Sequence, residues 1–284
     1  MPILGPGDDI GAKSLEEMHM RDELPTTQDE RRLWLIHALL DEHEEYAQVR
    51  IPEDVGSQRA LLRALLNVRP PQAADDDFLA VQDEYLQGRA REKGVTSLED
   101  LTPLQEHLYL WRGDITTLAV DGIVNAANSQ MLGCFAPNHG CIDNAIHTFA
   151  GVQLRLECAR QMAIQGHEER TGSAKITGAY NLPASYVLHT VGPIVGYRVT
   201  PRDQASLASC YRSCLELAER NGLRSLAFCC ISTGEFHYPN DEAAGIAVDV
   251  VRSYLEQSDN PLEVVFNVFK PVDFAIYRDL LVER

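Results

Sequence analysis

The densest group of reactive side chains in the sequence is Gly133-Cys134-Phe135-Ala136-Pro137-Asn138-His139-Gly140-Cys141. Two thiols and an imidazole fall within eight residues, spaced Cys-x4-His-x-Cys, and Gly133, Pro137 and Gly140 let the backbone fold them towards one point. Thiolate and imidazole together select zinc over magnesium or calcium. A structural zinc takes four protein ligands, whereas a catalytic zinc keeps one position open. No fourth ligand is adjacent, so Cys134, His139 and Cys141 suggest an open site unless Cys158, His147 or His237 closes it from elsewhere. The alternative without metal is two small packed thiols beside a hydrogen-bonded histidine.

Other polar groups stand at the ends of apolar runs. Gly113-Asp114-Ile115-Thr116 follows one, Asn125-Ala126-Ala127-Asn128 closes the next, and Ser232-Thr233-Gly234-Glu235-Phe236-His237-Tyr238-Pro239 lies between a third and a helical pattern. Taken singly, Asp114 and the two Asn are ordinary turn-formers. The Ser232 turn is placed where backbone N–H groups and a helix dipole can receive a phosphate. Asp143 could orient or deprotonate a water, or cap the helix that follows, or both. His147, one turn further on, reads as a packed or exposed helix residue rather than a catalyst, and Cys210, Cys214, Cys229 and Cys230 read as packing.

The elements that must carry these groups alternate. His107 to Trp111, Gly122 to Ala127, Tyr186 to Val191, Leu226 to Ile231 and Glu263 to Phe269 read as strands; Ile142 to Ile164, Gln204 to Asn221, Glu242 to Gln257 and Phe274 to Leu281 read as helices. That alternation predicts an α/β layered fold with a largely parallel sheet, whose ligands bind outside the carboxyl ends of the strands. Before residue 104 the spacing is helical throughout, in Leu33, Ile36, Leu40, then Leu61, Leu62, Leu65, Leu66, then Phe78, Leu79, Gln82, Tyr85, Leu86. Asp75, Asp76 and Asp77 fit the start of the third helix, just after the break at Pro70-Pro71. The chain therefore divides into a helical extension, 1–103, and an α/β unit, 104–284, with all seven cysteines in the latter.

Composition narrows the partners. With 25 Lys+Arg against 42 Asp+Glu the net charge is −17, a field that disfavours nucleic-acid polymers while leaving small anions accessible to backbone N–H groups. Apolar runs are far shorter than the roughly 20 residues a membrane span needs, and Met1 to Gly11 lacks the basic start and apolar stretch of a signal peptide. The expectation is a protein of the cytoplasm with reduced thiols and no membrane partner.

In combination these segments resemble a macrodomain, whose pattern joins a Gly-Asp-Ile-Thr turn, an Asn-Ala-Ala-Asn strand end, a Gly-rich loop leading into Val-Asp-x-Ala-Ile-His, and a Ser/Thr-x-Gly turn ending in Tyr-Pro. Here these stand as Gly113 to Thr116, Asn125 to Asn128, Ile142-Asp143-Asn144-Ala145-Ile146-His147, and Ile231 to Pro239. The longer loop carrying Cys134, His139 and Cys141 is similar to that of the zinc-dependent, MacroD-like class. Leu61 to Pro71 is similar to the helical extension of those proteins. The resemblance implies a three-layer α/β/α fold with a mixed, largely parallel sheet, and ADP-ribose as ligand.

Residue by residue, it implies that Asp114 takes the adenine amino group with Ile115 alongside, and that Gly140 to Ile142 and Ser232, Thr233, Gly234, Glu235 and Phe236 cradle the diphosphate. Asn128, Asp143 and Phe236 would line the distal ribose, with zinc on Cys134, His139 and Cys141 beside it. The implied activity is removal of single ADP-ribose units from acidic side chains of modified proteins, with Asn128 and Asp143 as catalytic residues and one Zn2+ as cofactor. A reader that binds ADP-ribose without cleaving it, its loop merely stapled by zinc, is the second reading.

Overall fold

Each helix of the N-terminal region begins where a side chain can satisfy its free N–H groups. Thr27 forms a reciprocal capping box with Glu30 ahead of α1 (Gln28–Asp41), Asp54 caps α2 (Val55–Val68) and Asp75 caps α3 (Asp76–Lys93), accepting from Phe78 N at 2.7 Å. Their apolar faces meet in a cluster built on Leu35, Ile36, Leu39, Leu62, Val81 and Tyr85. The computed structural model describes residues 24–282, so the readings of Met1 to Gly11 and of the rest of 1–23 lie outside the described residues.

After α3 the chain turns at Gly94, φ 87°, and Thr96–Ser97 (β1) pairs in parallel with Leu118–Ala119 (β3). The remaining strands are β2 (Leu108–Arg112), β4 (Gly122–Ala127), β5 (Ala174–Gly178), β6 (Tyr186–Val191), β7 (Ser225–Phe228) and β8 (Glu263–Val268). They form one six-stranded sheet in the order β2-β8-β7-β4-β6-β5, parallel except for β5. Helices α4 (Ile142–Ala150), α5 (Val152–Gln165), α6 (Pro201–Arg220), α7 (Asn240–Leu255) and α8 (Pro271–Val282) cover both sides of it, the expected macrodomain layering. The interior strands are apolar on both faces, as burial from two sides demands: Ile123, Val124, Leu226, Val264 and Val265 are fully buried.

Two expectations need correction, and one strand is added. The single helix expected over Ile142 to Ile164 is two, because Gly151 adopts φ 98°, and a Cβ there would come within 2.7 Å of the Gln82 side chain. The strand expected to reach Ile231 ends at Phe228, beyond which the chain leaves the sheet. Strand β5 was not foreseen, since Ala174-Lys175-Ile176-Thr177-Gly178 is an edge strand of mixed polarity.

The topology creates the opening for a site. From β4 the chain proceeds through α4 and α5 to β5 and β6 on one side, then crosses over to β7 and β8 on the other. Strand β4 pairs with β6 along its whole length but with β7 only at Gly122 and Ile123. Their carboxyl ends therefore diverge at the switch point, which is where open α/β sheets bind ligands. The loops that follow β4 and β7 hold the Cys/His segment and the Ser232 turn.

Candidate functional site

Asn128 closes the turn after β4 with both ends of its amide. Its Oδ1 accepts from Gln130 N and Met131 N at 3.0 and 3.1 Å, while Nδ2 donates to Gly133 O at 3.1 Å and lies 3.4 Å from Asp143 Oδ2. The other oxygen of Asp143 accepts from Asn125 Nδ2 at 2.8 Å. Strand end and helix start are thus joined through one buried carboxylate. Burial lifts the Asp143 carboxyl to about 6, opposed by the Asn125 hydrogen bond and the Arg155 charge. Asp143 is not the helix cap: Cys141 occupies that place, its Sγ accepting from Asn144 N at 3.4 Å, and Asp143 stands within the first turn.

His147 packs beneath this loop, with Nε2 3.6 Å from Asp143 Oδ1. A Cβ on Gly133, whose φ is 80°, would come within 2.7 Å of its ring. Both ring nitrogens are buried without a hydrogen-bond partner, and burial holds the imidazole well below its ordinary pKa, so it is neutral. Of the two places open to a helix residue, packed or exposed, His147 takes the packed one. His189 behind it is also neutral, pushed down by burial to about 3, and is held by Asn125 and by Thr177 at 2.9 Å.

The structure brings Cys134, His139 and Cys141 together, their ligand atoms all within 4.8 Å of one another. His139 Nδ1 faces Cys134 Sγ at 3.6 Å, and its Nε2 faces Glu235 Oε1 at 3.6 Å. A carboxylate on the outer nitrogen is the usual way of fixing a metal-binding imidazole. Among the described residues none joins these three as a fourth ligand. His147 and Cys158 belong with His189 to a separate buried group, and His237 is exposed in the Ser232 turn. Burial pushes the Cys141 thiol up to about 12, reinforced by the Cys134 thiol, although the Asn144 N–H favours the thiolate. Two thiols this close ionise together when a divalent cation shares their charge, so the donor set fits zinc.

The turn after β7 approaches from the opposite side. Ser232 is buried with φ 65°, Tyr238 N returns to its carbonyl at 3.0 Å, and Thr233 Oγ1 donates to Cys230 O at 3.0 Å. Phe236 is half-buried and its carbonyl takes Val195 N at 2.9 Å. Cβ atoms placed on Gly140 or Gly234 would have no neighbour within 4 Å, so the space these glycines leave is not filled by protein. Ile142, the first residue of α4, is half-buried between Cys141 and Asp143.

Further along the sheet edge, Asp114 caps a short 3₁₀ turn over Ile115–Thr117 by accepting from Thr116 N and Oγ1 at 3.0 and 2.6 Å, and Ile115 is buried beneath it. Its other oxygen takes Lys93 Nζ at 2.8 Å. Burial raises the Asp114 pKa, but the bonds from Lys93 and Thr116 outweigh it and hold the carboxyl below its usual range. Lys93, which also lies over the Phe149 ring, was not anticipated, nor was Arg155, which donates to Leu132 O at 2.8 Å and lies over Phe135. Both act across the boundary between the helical region and the sheet.

A macro domain family profile matches residues 124–247. The chain is 55% identical over 259 residues to a protein named protein-ADP-ribose hydrolase from Treponema medium, spanning 90% of this chain and 99% of that one. It is 49% identical over 248 residues to a protein of the same name from Staphylococcus aureus, spanning 87% and 93%. Among solved structures, a Trypanosoma brucei macrodomain in complex with ADP-ribose superposes with a TM-score of 0.60 at 34% identity, covering 77% of this chain and 94% of that one. An Oceanobacillus iheyensis macrodomain mutant with ADPR gives 0.57 at 38% identity, covering 62% and 94%.

Proposed function

This chain belongs to the macrodomain family and is a protein-ADP-ribose hydrolase, and on that premise we propose that it removes single ADP-ribose units from modified acidic side chains of proteins with the help of one zinc ion. The observation that carries the reading is the convergence of Cys134, His139 and Cys141 within 4.8 Å, next to the helix start that bears Asp143.

The chain's own groups divide the work. Asp114 takes the adenine amino group, and the space left open at Gly140 and Gly234 lets backbone N–H groups of Gly140 to Ile142 and of Ser232 to Phe236 approach the diphosphate. Phe236 packs against the distal ribose. Asn128 and Asp143 orient the sugar and the water, with Asp143, whose pKa burial lifts to about 6, able to take a proton. Zinc when bound supplies a Lewis acid and lowers the pKa of a water towards about 7. Hydrolysis of the ester consumes one water and yields ADP-ribose, a free side-chain carboxylate and a proton. A carboxylate departs without needing that proton, which suits a site built on orientation and charge.

A cytoplasmic location belongs to the same reading, because two thiols that must remain unpaired need a reducing compartment. The decisive test measures zinc content and ADP-ribose release from proteins modified on Glu or Asp, on Ser and on Arg. Release from the acidic ester alone, by zinc-loaded protein, is expected. Equal release from all three linkages would overturn the stated specificity, and full release by metal-free protein would overturn the role of zinc.

A further inference from the structure

We propose that Arg63, in α2 of the helical extension, is a positioning residue for the Cys134–Cys141 loop, acting with Asn67 and through Asn144, so that the extension is part of the metal site. The proposal rests on the zinc reading above.

All three ligand residues are tied to one guanidinium. Arg63 Nη2 donates to the carbonyl of His139 at 3.0 Å, and Nε and Nη2 both donate to Asn144 Oδ1 at 3.1 and 2.7 Å. With its oxygen so occupied, the Asn144 amide points its Nδ2 at the carbonyls of Cys134 and Ala136, at 3.4 and 3.0 Å. The backbone N–H of the same residue donates to Cys141 Sγ at 3.4 Å. Arg63 therefore reaches His139 directly, and Cys134 and Cys141 through Asn144, which is fully buried.

A second tie comes from one turn further along α2. Asn67 Oδ1 accepts from Asn138 N at 2.9 Å, while its Nδ2 donates to Thr148 Oγ1 at 2.8 Å. Asn138 has φ 55°, a left-handed conformation that a non-glycine residue holds at a cost, and it immediately precedes His139. A loop with Gly133 and Asn138 both at positive φ would lose much conformational freedom on closing around an ion. The extension imposes that order beforehand, which lowers the cost of capture. Outer partners of metal ligands typically contribute a factor of about 10 to 100 in metal affinity. An arginine suits the place because its planar fork sets Nε and Nη2 on Asn144 Oδ1 while Nη2 also reaches the His139 carbonyl, a fixed geometry that the rotatable donors of an ammonium do not supply.

The test uses the full chain and Zn2+ itself. Zinc affinity by competition with a chromogenic chelator, the visible spectrum of the cobalt-substituted protein, kcat and melting temperature are measured for the parent, Arg63→Ala, Arg63→Lys, Asn67→Ala and Arg59→Ala. Arg59 lies on the same helix but pairs with Glu92, away from the loop, and serves as the control for disturbing α2. Arg63→Ala is expected to weaken zinc binding at least tenfold and to lower kcat, Arg63→Lys to recover part of the loss, Asn67→Ala to weaken it less, and Arg59→Ala to leave it unchanged. If Arg63→Ala does not fold, the intermediate affinity of Arg63→Lys decides. Parental zinc affinity in a folded Arg63 variant overturns the proposal while leaving the zinc reading intact. A parent that takes up no zinc overturns both.

Discussion

Lys93 Nζ lies 2.8 Å from Asp114 Oδ2, so the last residue of the third extension helix rests on the carboxylate to which the resemblance assigns adenine. The ammonium also sits over the Phe149 ring, 3.4 Å from its centroid. Burial lowers the Lys93 pKa while the contact with Asp114 raises it, and the pair keeps the carboxylate ionised and aimed. The helical region is thus not an appendage, because it touches both Asp114 and the Cys134–Cys141 loop.

Replacing Asp114 should weaken ADP-ribose binding. A hydrogen bond with one charged partner contributes about 1.5 to 3 kcal/mol, so Asp114→Ala is expected to lower affinity roughly ten- to a hundredfold by calorimetry. Lys93→Met, which leaves the carboxylate and its Thr116 contacts in place but removes the cation that helps to aim it, should lose less affinity than Asp114→Ala. Unchanged affinity in Asp114→Ala would remove this residue from the site.

The same carboxylate makes a pH-dependent contribution to stability. Its folded pKa is lowered, so the contribution is present above the unfolded carboxylate range and is lost as pH falls through the folded value. With a third of the side chain exposed, the effect is small. The melting-temperature gap between parent and Asp114→Asn is expected near neutrality and should close in acid; a gap that widens in acid contradicts the sign.

Removing the extension should destabilise the sheet domain. Arg155 is buried and donates to Leu66 O at 3.1 Å and to Arg69 O, and Gln82 Oε1 accepts Val152 N at 2.9 Å, so deletion strands a guanidinium and a helix N-terminus. Deletion also bares the apolar side chains of Phe149 and Val152 that pack against the core of the extension. A chain beginning at Leu104 is expected to melt well below the full chain or to be insoluble, and an equal melting temperature would refute the dependence.

What the sequence made legible follows from distance along the chain. The Cys/His loop is local, its three candidate ligands lying within eight residues, and the strands β4 and β6 are short, largely apolar runs that suit a buried sheet. Arg63 and Asn67 were not singled out, because their partners lie 81 and 71 residues away and a polar stripe on a helix reads as solvated until another element covers it. Gln82 had looked like part of an apolar face, and only the fold reveals that its amide caps the helix after Gly151. The roles proposed for Asp114 and Asn128 rest on the combination of motifs, each being a commonplace turn residue alone.

Asp143 and Asn128 should matter more for turnover than for binding. Asp143→Asn preserves the volume of a buried side chain and keeps an acceptor for Asn125, but removes the charge and the proton site. General acid–base catalysis contributes about a hundred- to ten-thousandfold, and single-turnover release should slow by that order with ADP-ribose affinity changed only a few-fold. Asn128→Ala also opens the turn to Gln130 and Met131, so it should lose some affinity as well. Parental single-turnover rates in Asp143→Asn would deny it a catalytic part.

Metal loss and ligand loss should separate. Adenine and diphosphate are assigned to Asp114 and to backbone N–H groups of the two loops, of which only that of Cys141 belongs to a proposed zinc ligand, so ADP-ribose affinity should survive much of the removal of zinc by a chelator. The choice of variant decides whether the experiment is clean. Cys141 is the N-cap of α4 as well as a proposed ligand, so Cys141→Ala would remove both functions. Serine is among the best N-caps, and Cys141→Ser keeps an acceptor for Asn144 N while replacing a soft thiolate with a hydroxyl that zinc does not favour. Cys141→Ser should therefore retain its fold and its ADP-ribose binding yet lose zinc, and kcat should collapse by an amount that reflects a transition-state interaction. A zinc that merely staples the loop would behave otherwise, with affinity, melting temperature and rate falling together in the chelated parent and the variant alike.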